Sequence, residues 1–196
     1  DLQVGRSYKV RGAYNFISSL APEERAHGIV CASAGNHAQG VAFACHQLRI
    51  PGKVFLPATT PRQKRARIQD TGGRGVEQGI TGAGFDETSA SAQAFAAETG
   101  AVYVPPFDHS RIVAGQGTVA WEITHQLTGP IDTVLVPVGG GGLIAGVAVW
   151  LKHLFPSLHV VGVEPEGAAS LTAALAAGRP VELARIDGFV DGAAGR

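Results

Sequence analysis

Lys9, in the segment Ser7-Tyr8-Lys9-Val10-Arg11-Gly12-Ala13, is the residue of this chain best suited to covalent chemistry. An amine forms a Schiff base with a carbonyl only when unprotonated, and a free lysine at neutral pH is almost wholly protonated. Neighbouring positive charge or an apolar pocket lowers a lysine pKa, and Arg6 and Arg11 lie close in sequence. The other lysines have ordinary readings. Lys64 lies in a basic run with Arg62, Arg65 and Arg67, Lys152 falls late in an apolar helix, and Lys53 opens a strand. Taken alone, Lys9 reads as a surface residue, the common fate of a charged side chain. Two further segments change that: Ser33-Ala34-Gly35-Asn36-His37-Ala38-Gln39-Gly40 and Gly139-Gly140-Gly141-Gly142-Leu143. With Lys9 they describe a site for a covalently held aldehyde cofactor.

The glycine run sits between Ile131 to Val138, a nearly continuous apolar strand of the kind buried in a parallel sheet, and Leu143 to Leu154, an apolar helix. Without side chains, backbone N–H groups can close around an anion, and the helix start adds partial positive charge. A phosphate can be held there with no basic residue in the loop. Two other readings stay open: a flexible joint, and a dinucleotide site. For the second, Gly140, Gly142 and Ala145 satisfy the loose G-x-G-x-x-A pattern, and Glu164 follows about 20 residues on at the end of the next strand. That nicotinamide reading leaves Lys9 and the asparagine loop without work. Ser33 to Asn36 is a second strand-to-helix turn, offering unpaired N–H groups to a carboxylate and an uncharged amide at Asn36. Plain helix capping by Ser33 or Asn36 accounts for it equally well.

The elements that must position these residues alternate along the chain. Strands are expected at Gly28 to Ala32, Lys53 to Leu56, Gly75 to Ile80, Val102 to Val104, Ile131 to Val138 and His159 to Glu164. Helices are expected near Gly12 to Leu20, His37 to Arg49, Pro61 to Thr71, Phe85 to Thr99, Ser110 to Leu127, Leu143 to Leu154 and Ser170 to Ala177. This is an α/β protein with open parallel sheets and flanking helices.

Ser7 to Ala13, Ser33 to Gly40, Ala114-Gly115-Gln116-Gly117-Thr118 and Gly162-Val163-Glu164-Pro165-Glu166-Gly167 follow one another in an order that resembles a known family. The chain is similar throughout to the pyridoxal-phosphate-dependent threonine dehydratases (threonine ammonia-lyases) of the tryptophan-synthase-β-like fold, fold type II. Serine dehydratases and serine racemases are near relatives. The resemblance implies that Lys9 carries the cofactor as a Schiff base, with Tyr8 walling the ring and Asn36 bonding the ring hydroxyl. It implies that Gly139, Gly140, Gly141, Gly142 and Leu143 hold the phosphate. Ser33, Ala34, Gly35, Asn36 and His37 would grip the substrate carboxylate, mainly through backbone N–H. The implied reaction is α,β-elimination of L-threonine to 2-oxobutanoate and ammonia, or of L-serine to pyruvate and ammonia, in isoleucine biosynthesis or threonine catabolism.

Departures from the relatives narrow this. Serine racemases carry a second serine after the loop's first, as acid and base on the opposite face of Cα, and here that position is Ala34. Elimination is therefore expected over racemisation. Of the racemases' cation site, Glu164 and Ala168 align but Ser170 stands where an acid would be, so no metal is expected. Cysteine synthases usually follow the loop asparagine with threonine and glycine, where this chain has His37-Ala38. The resemblance also implies a smaller mobile domain at residues 31–110, a larger domain from 1–30 and 111–196, and truncation at both ends. The residue meeting the pyridine nitrogen would lie past the run Asp191 to Arg196. The intact enzyme would be a homo-oligomer, dimer or tetramer.

With 196 residues the chain can bury a substantial core. Sixteen basic against 16 acidic residues argue against nucleic acid or a polybasic membrane surface, which leaves small partners, and the resemblance implies a small-molecule amino-acid substrate. Cys31 and Cys45 lack metal-ligand spacing and lie on apolar elements, which suggests inert thiols in a reducing compartment, with cytoplasm the expected location. No apolar run approaches a membrane span.

Overall fold

A parallel strand covered by helices on both faces has no solvent side, so it is apolar throughout rather than alternating. Ile29–Ala32 (β1) is such a strand, buried at every residue. The computed structural model describes residues 2–187, and the run Asp191 to Arg196 lies outside them. Within that span β1 is an inner strand of an all-parallel sheet with Gly52–Leu56 (β2), Val76–Ile80 (β3) and Val102–Tyr103 (β4), in the order β3-β2-β1-β4. The described residues part into two compact units between Pro106 and Phe107, and this sheet belongs to the first.

Five helices surround the sheet: Lys9–Ser18 (α1), Pro22–Ala26 (α2), Asn36–Leu48 (α3), Arg62–Gly72 (α4) and Phe85–Thr99 (α5). Alternation along the strands assigns their faces. Val30, Ala32 and Phe55 pack with Ala92 and Phe95 of α5. The opposite face meets α3, where a Cβ on Gly52 would lie 2.8 Å from Cys45 Sγ. Cys31 points to that same face, and both thiols are buried and unbridged. Helix α1 lies against α3 because Gly40 has no side chain: a Cβ there would stand 3.1 Å from the backbone of Lys9 and Val10.

The second unit contains Thr133–Pro137 (β5) and His159–Val163 (β6), paired in parallel from Thr133 opposite His159 to Pro137 opposite Val163. Its helices are Ser110–Gln126 (α6), Gly142–Leu154 (α7) and Ser170–Ala177 (α8). Its core gathers Ala120, Val136, Val147, Leu151 and Leu158. Helices α6 and α7 approach closely at Gly117 and Gly146. This gives the Gly115-Gln116-Gly117 motif a packing role: Gly115 and Gln116 are buried and Gly117 admits the neighbouring backbone.

The α/β class and the strand order along the chain stand as expected, with three differences. Helix α1 starts at Lys9 rather than near Gly12, where the Ser7 hydroxyl accepts the Lys9 N–H at 3.3 Å. The five-residue α2 was not expected; Pro22 opens it and the Glu24 carboxylate accepts the Ala21 N–H at 2.7 Å. Strand β5 is shorter than Ile131 to Val138 and is not buried on both faces: Val136 is 3% exposed but Leu135 67%. One face packs on α7 and the other is uncovered among the described residues. Residues 2–30 pack in one unit with 31–106. The implied division by movement, 31–110 against 1–30 and 111–196, concerns which parts shift together, a different matter from packing.

A Cβ on Gly146 would collide with Val113 O and lie 2.6 Å from Gly117 N. Gly146→Ala is expected to push α6 and α7 apart and lower stability by about 1–3 kcal/mol, read as a shifted urea midpoint. Val149→Ala, at an exposed position on the same helix, is the control and should change it by less than about 0.5 kcal/mol.

Candidate active site

In an open parallel sheet, ligands bind beyond the carboxyl ends of the strands where the chain order reverses. In the order β3-β2-β1-β4 that point lies between β1 and β4. Beyond β1 comes the turn Ser33 to Gly35. The Ser33 hydroxyl accepts the Gly35 N–H at 3.2 Å, and the Ser33 N–H donates to Phe55 O at 3.1 Å. Helix α3 then opens at Asn36, with Gly35 in the capping position and no side-chain cap. The N–H groups of its first turn therefore have no intrahelical acceptor. Asn36 is exposed, while Ser33, Ala34 and Gly35 are half-buried.

His37 turns inward. Its Nε2–H donates to Val104 O, just beyond β4, at 3.0 Å. Burial pushes its pKa down to about 4; the hydrogen bond to Val104 opposes that shift and the Lys9 charge adds to it. The ring is neutral at physiological pH.

Lys9, the first residue of α1, is half-buried and sends its Nζ to Pro106 O at 2.8 Å. The same nitrogen lies 5.8 Å from the centroid of the Tyr8 ring. Burial lowers the Lys9 pKa from its ordinary value. Of the two causes open from sequence, desolvation is the one observed, and Arg11 turns away to donate from Nε to Gln3 Oε1 at 2.6 Å. The first unit thus brings Tyr8, Lys9 and His37 onto one short stretch, Val104 to Pro106. Its carbonyls are the participants that sequence reasoning missed, since a backbone acceptor carries no residue type. The Pro105-Pro106 pair after a strand was the available signal.

In the second unit the glycine run spans the end of β5 and the start of α7. Gly141 has φ +80° and caps α7, whose first turn lacks a side-chain cap. Gly140 and Gly142 are demanded by Phe107: a Cβ on Gly140 would collide with its ring, and one on Gly142 would lie 2.9 Å from its carbonyl oxygen. Space around Gly141 is open.

Glu164, the acid required by the dinucleotide reading, is committed elsewhere. Its carboxylate accepts the Leu171 N–H at 2.7 Å, the Thr172 N–H at 2.8 Å and the Thr172 hydroxyl at 2.7 Å, capping α8. Burial, the largest single cause, raises its pKa, but the Thr172 hydroxyl and the two N–H groups together outweigh it and hold the carboxyl below its ordinary range. The ribose contact on which the nicotinamide alternative depends therefore has no free acid here.

A family model described as pyridoxal-phosphate dependent enzyme matches residues 1–196. The chain belongs to this family. Among curated relatives of the pyridoxal-phosphate-dependent enzymes, the biosynthetic L-threonine dehydratase IlvA of Mycobacterium tuberculosis is 53% identical over 99% of this chain and 45% of its own length. The protein of the same name from Bacillus subtilis is 46% identical over 99% of this chain and 46% of its own. The processed form of threonine deaminase isoform 2 from Solanum lycopersicum superposes with a TM-score of 0.95 at 45% identity, covering 100% of this chain and 56% of that one. Maize serine racemase gives 0.92 at 34%, covering 99% and 58%. The chain spans about half the length of the curated relatives it matches.

Each unit, taken by itself, holds residues whose chemistry fits part of pyridoxal phosphate. Lys9 offers an amine biased by burial towards its neutral form. The helix start at Gly141 and Gly142 offers N–H donors with no side chain to obstruct a phosphate.

His37 also gives the fold an acid limit. At about 4 folded against about 6.5 unfolded, the ring binds its proton later in the folded state. Above about pH 6.5 both states are neutral; as pH falls, the unfolded chain protonates first and stability declines down to about pH 4, by about 3 kcal/mol in all. Urea denaturation at pH 7 and pH 4.5 is expected to show this loss, and His37→Gln, which does not titrate, to show a flatter dependence.

Proposed function

We propose that the protein containing this chain catalyses the pyridoxal-phosphate-dependent α,β-elimination of L-threonine to 2-oxobutanoate and ammonia, with L-serine giving pyruvate and ammonia. The observation that carries it is the half-buried Lys9 amine beyond the carboxyl ends of β1 and β4, beside the asparagine loop. The 53% identity to proteins named L-threonine dehydratase supports the substrate, and their description as biosynthetic supports a role in making isoleucine.

When bound, pyridoxal phosphate supplies an aldehyde for the Lys9 amine and a conjugated ring that accepts the electron pair left on the substrate Cα. Lys9 Nζ, once neutral, takes the Cα proton as general base, and the β-hydroxyl departs as water after gaining a proton. The unpaired N–H groups at the start of α3, at Asn36 and His37, receive the substrate carboxylate together with the turn Ser33, Ala34 and Gly35. The Asn36 amide bonds the ring hydroxyl, Tyr8 walls the ring beside Lys9, and Gly139 to Leu143 receive the phosphate. Ala34 has no hydroxyl with which to return a proton to the opposite face of Cα. That favours elimination over the racemase reading raised by the likeness to maize serine racemase.

The same proposal makes the enzyme a cytoplasmic homo-oligomer, with residues 31–110 closing as the smaller domain. Among the described residues no helix is long and apolar enough to cross a membrane.

In the full-length protein, Lys9→Ala is expected to lose the visible absorbance of the cofactor–lysine bond and to lower ammonia release by about a thousandfold or more. Normal turnover in that variant would remove Lys9 from the mechanism. Ala34→Ser is expected to raise racemisation relative to elimination, measured by chiral analysis of residual serine beside pyruvate; an unchanged ratio in a folded, cofactor-loaded variant counts against the one-base account.

A further inference from the structure

The proposed function uses the backbone of His37 and leaves its side chain without a role. That side chain is 4% exposed, and its Nε2 lies 3.0 Å from Val104 O. A carbonyl only accepts, so Nε2 carries the hydrogen and Nδ1 of the neutral ring is bare. Val104 is fixed from its other side as well: it is fully buried and its N–H donates to Val30 O at 2.8 Å. The next two residues are Pro105 and Pro106. Each proline locks its own φ near about −65° and keeps the residue before it extended, so Val104-Pro105-Pro106 has few ways to bend. At the far end of this short strut, Pro106 O accepts the hydrogen bond from Lys9 Nζ at 2.8 Å. Lys9 is held from behind too, since its backbone sits in the space left by Gly40, three residues after His37 on α3.

We propose that the imidazole of His37 is a positioning residue for Lys9, anchoring through Val104 O a diproline strut whose terminal carbonyl sets where the lysine amine rests. This rests on the reading of Lys9 as the cofactor lysine. Helix α3 then acts on the amine from two directions: Gly40 sets the backbone of Lys9, and His37, through the strut, sets its nitrogen. A leucine at 37 would fill similar space but leave Val104 O without a donor and the strut without its anchor. A glutamine keeps a donor.

The test measures how fast the amine is captured, not turnover. The full-length protein, cleared of bound cofactor, is mixed with pyridoxal phosphate, reduced with borohydride at timed intervals and peptide-mapped. Trapping at Lys9 is read against Lys53, Lys64 and Lys152 in the same sample. His37→Leu is expected to slow trapping at Lys9 by about tenfold and leave the other three unchanged. His37→Gln is expected to restore it to within about threefold. Pro105→Ala combined with Pro106→Ala keeps both carbonyls and the His37 hydrogen bond but frees the strut, and is expected to slow Lys9 as His37→Leu does. If His37→Leu does not fold, the double alanine variant decides alone. Unchanged trapping in the folded variants overturns the proposal, as do equal slowing by leucine and glutamine or a change shared by all four lysines. Absence of trapping at Lys9 in the unaltered protein sinks the cofactor-lysine reading itself, an outcome distinct from the others.

Discussion

Taking the Lys9 amine out of water is the constraint on which the rest of the first unit depends. A solvated ammonium is inert as a base, and a half-buried amine moves towards its neutral form. Burying it requires α1 to lie hard against α3, which Gly40 permits, and requires an acceptor for the nitrogen's hydrogen, which Pro106 O supplies. That acceptor is a neutral carbonyl and not a carboxylate. A carboxylate would pull the amine back to its charged form, while a carbonyl satisfies the hydrogen bond with a weaker bias. The sheet order serves the same end, because pairing β4 beside β1 brings the Val104 to Pro106 stretch next to the turn that opens α3.

The second unit solves a different problem by omitting side chains. Under the proposed function the glycine run receives a phosphate through backbone N–H groups, which needs close approach, and close approach needs glycine. Gly140 and Gly142 make room for Phe107, Gly141 takes the left-handed turn, and Gly117 and Gly146 let α6 and α7 meet backbone to backbone. The helix that begins at the glycine run is thereby seated against its neighbour by another glycine one turn further along. The run is packed against Phe107 at Gly140 and Gly142, a close approach that a flexible joint would not require.

The legibility of these features in the sequence follows from what carries each of them. The α/β alternation was legible because strand and helix periods differ and strong punctuation, such as Gly129-Pro130, falls between them. Lys9, the asparagine loop and the glycine run stood out because their chemistry depends on residue type and spacing. The partners of Lys9 and His37 did not, because the carbonyls of Val104 and Pro106 exist at every residue alike. The cause of the Lys9 pKa shift was open for a related reason: Arg6 and Arg11 are near in sequence, whereas desolvation is a property of packing. The early start of α1 was hidden in a single hydrogen bond, from the Lys9 N–H to the Ser7 hydroxyl. Strand β5 misled because apolar content says what a strand can bury, not whether anything covers it, and Leu135 is left uncovered among the described residues.

The two cysteines have a separate consequence. Both lie in the first unit, Cys31 on β1 and Cys45 on the helix above it, and the chain has two cysteines in all. Burial raises both thiol pKa values, so neither is an available thiolate while the sheet and α3 stay together. An alkylating reagent can reach them only when α3 lifts from the sheet. The chain therefore carries a built-in reporter: the rate at which its thiols are consumed is the opening rate or opening equilibrium of the unit that holds Lys9, read separately from the glycine-rich unit, which is silent to the same reagent.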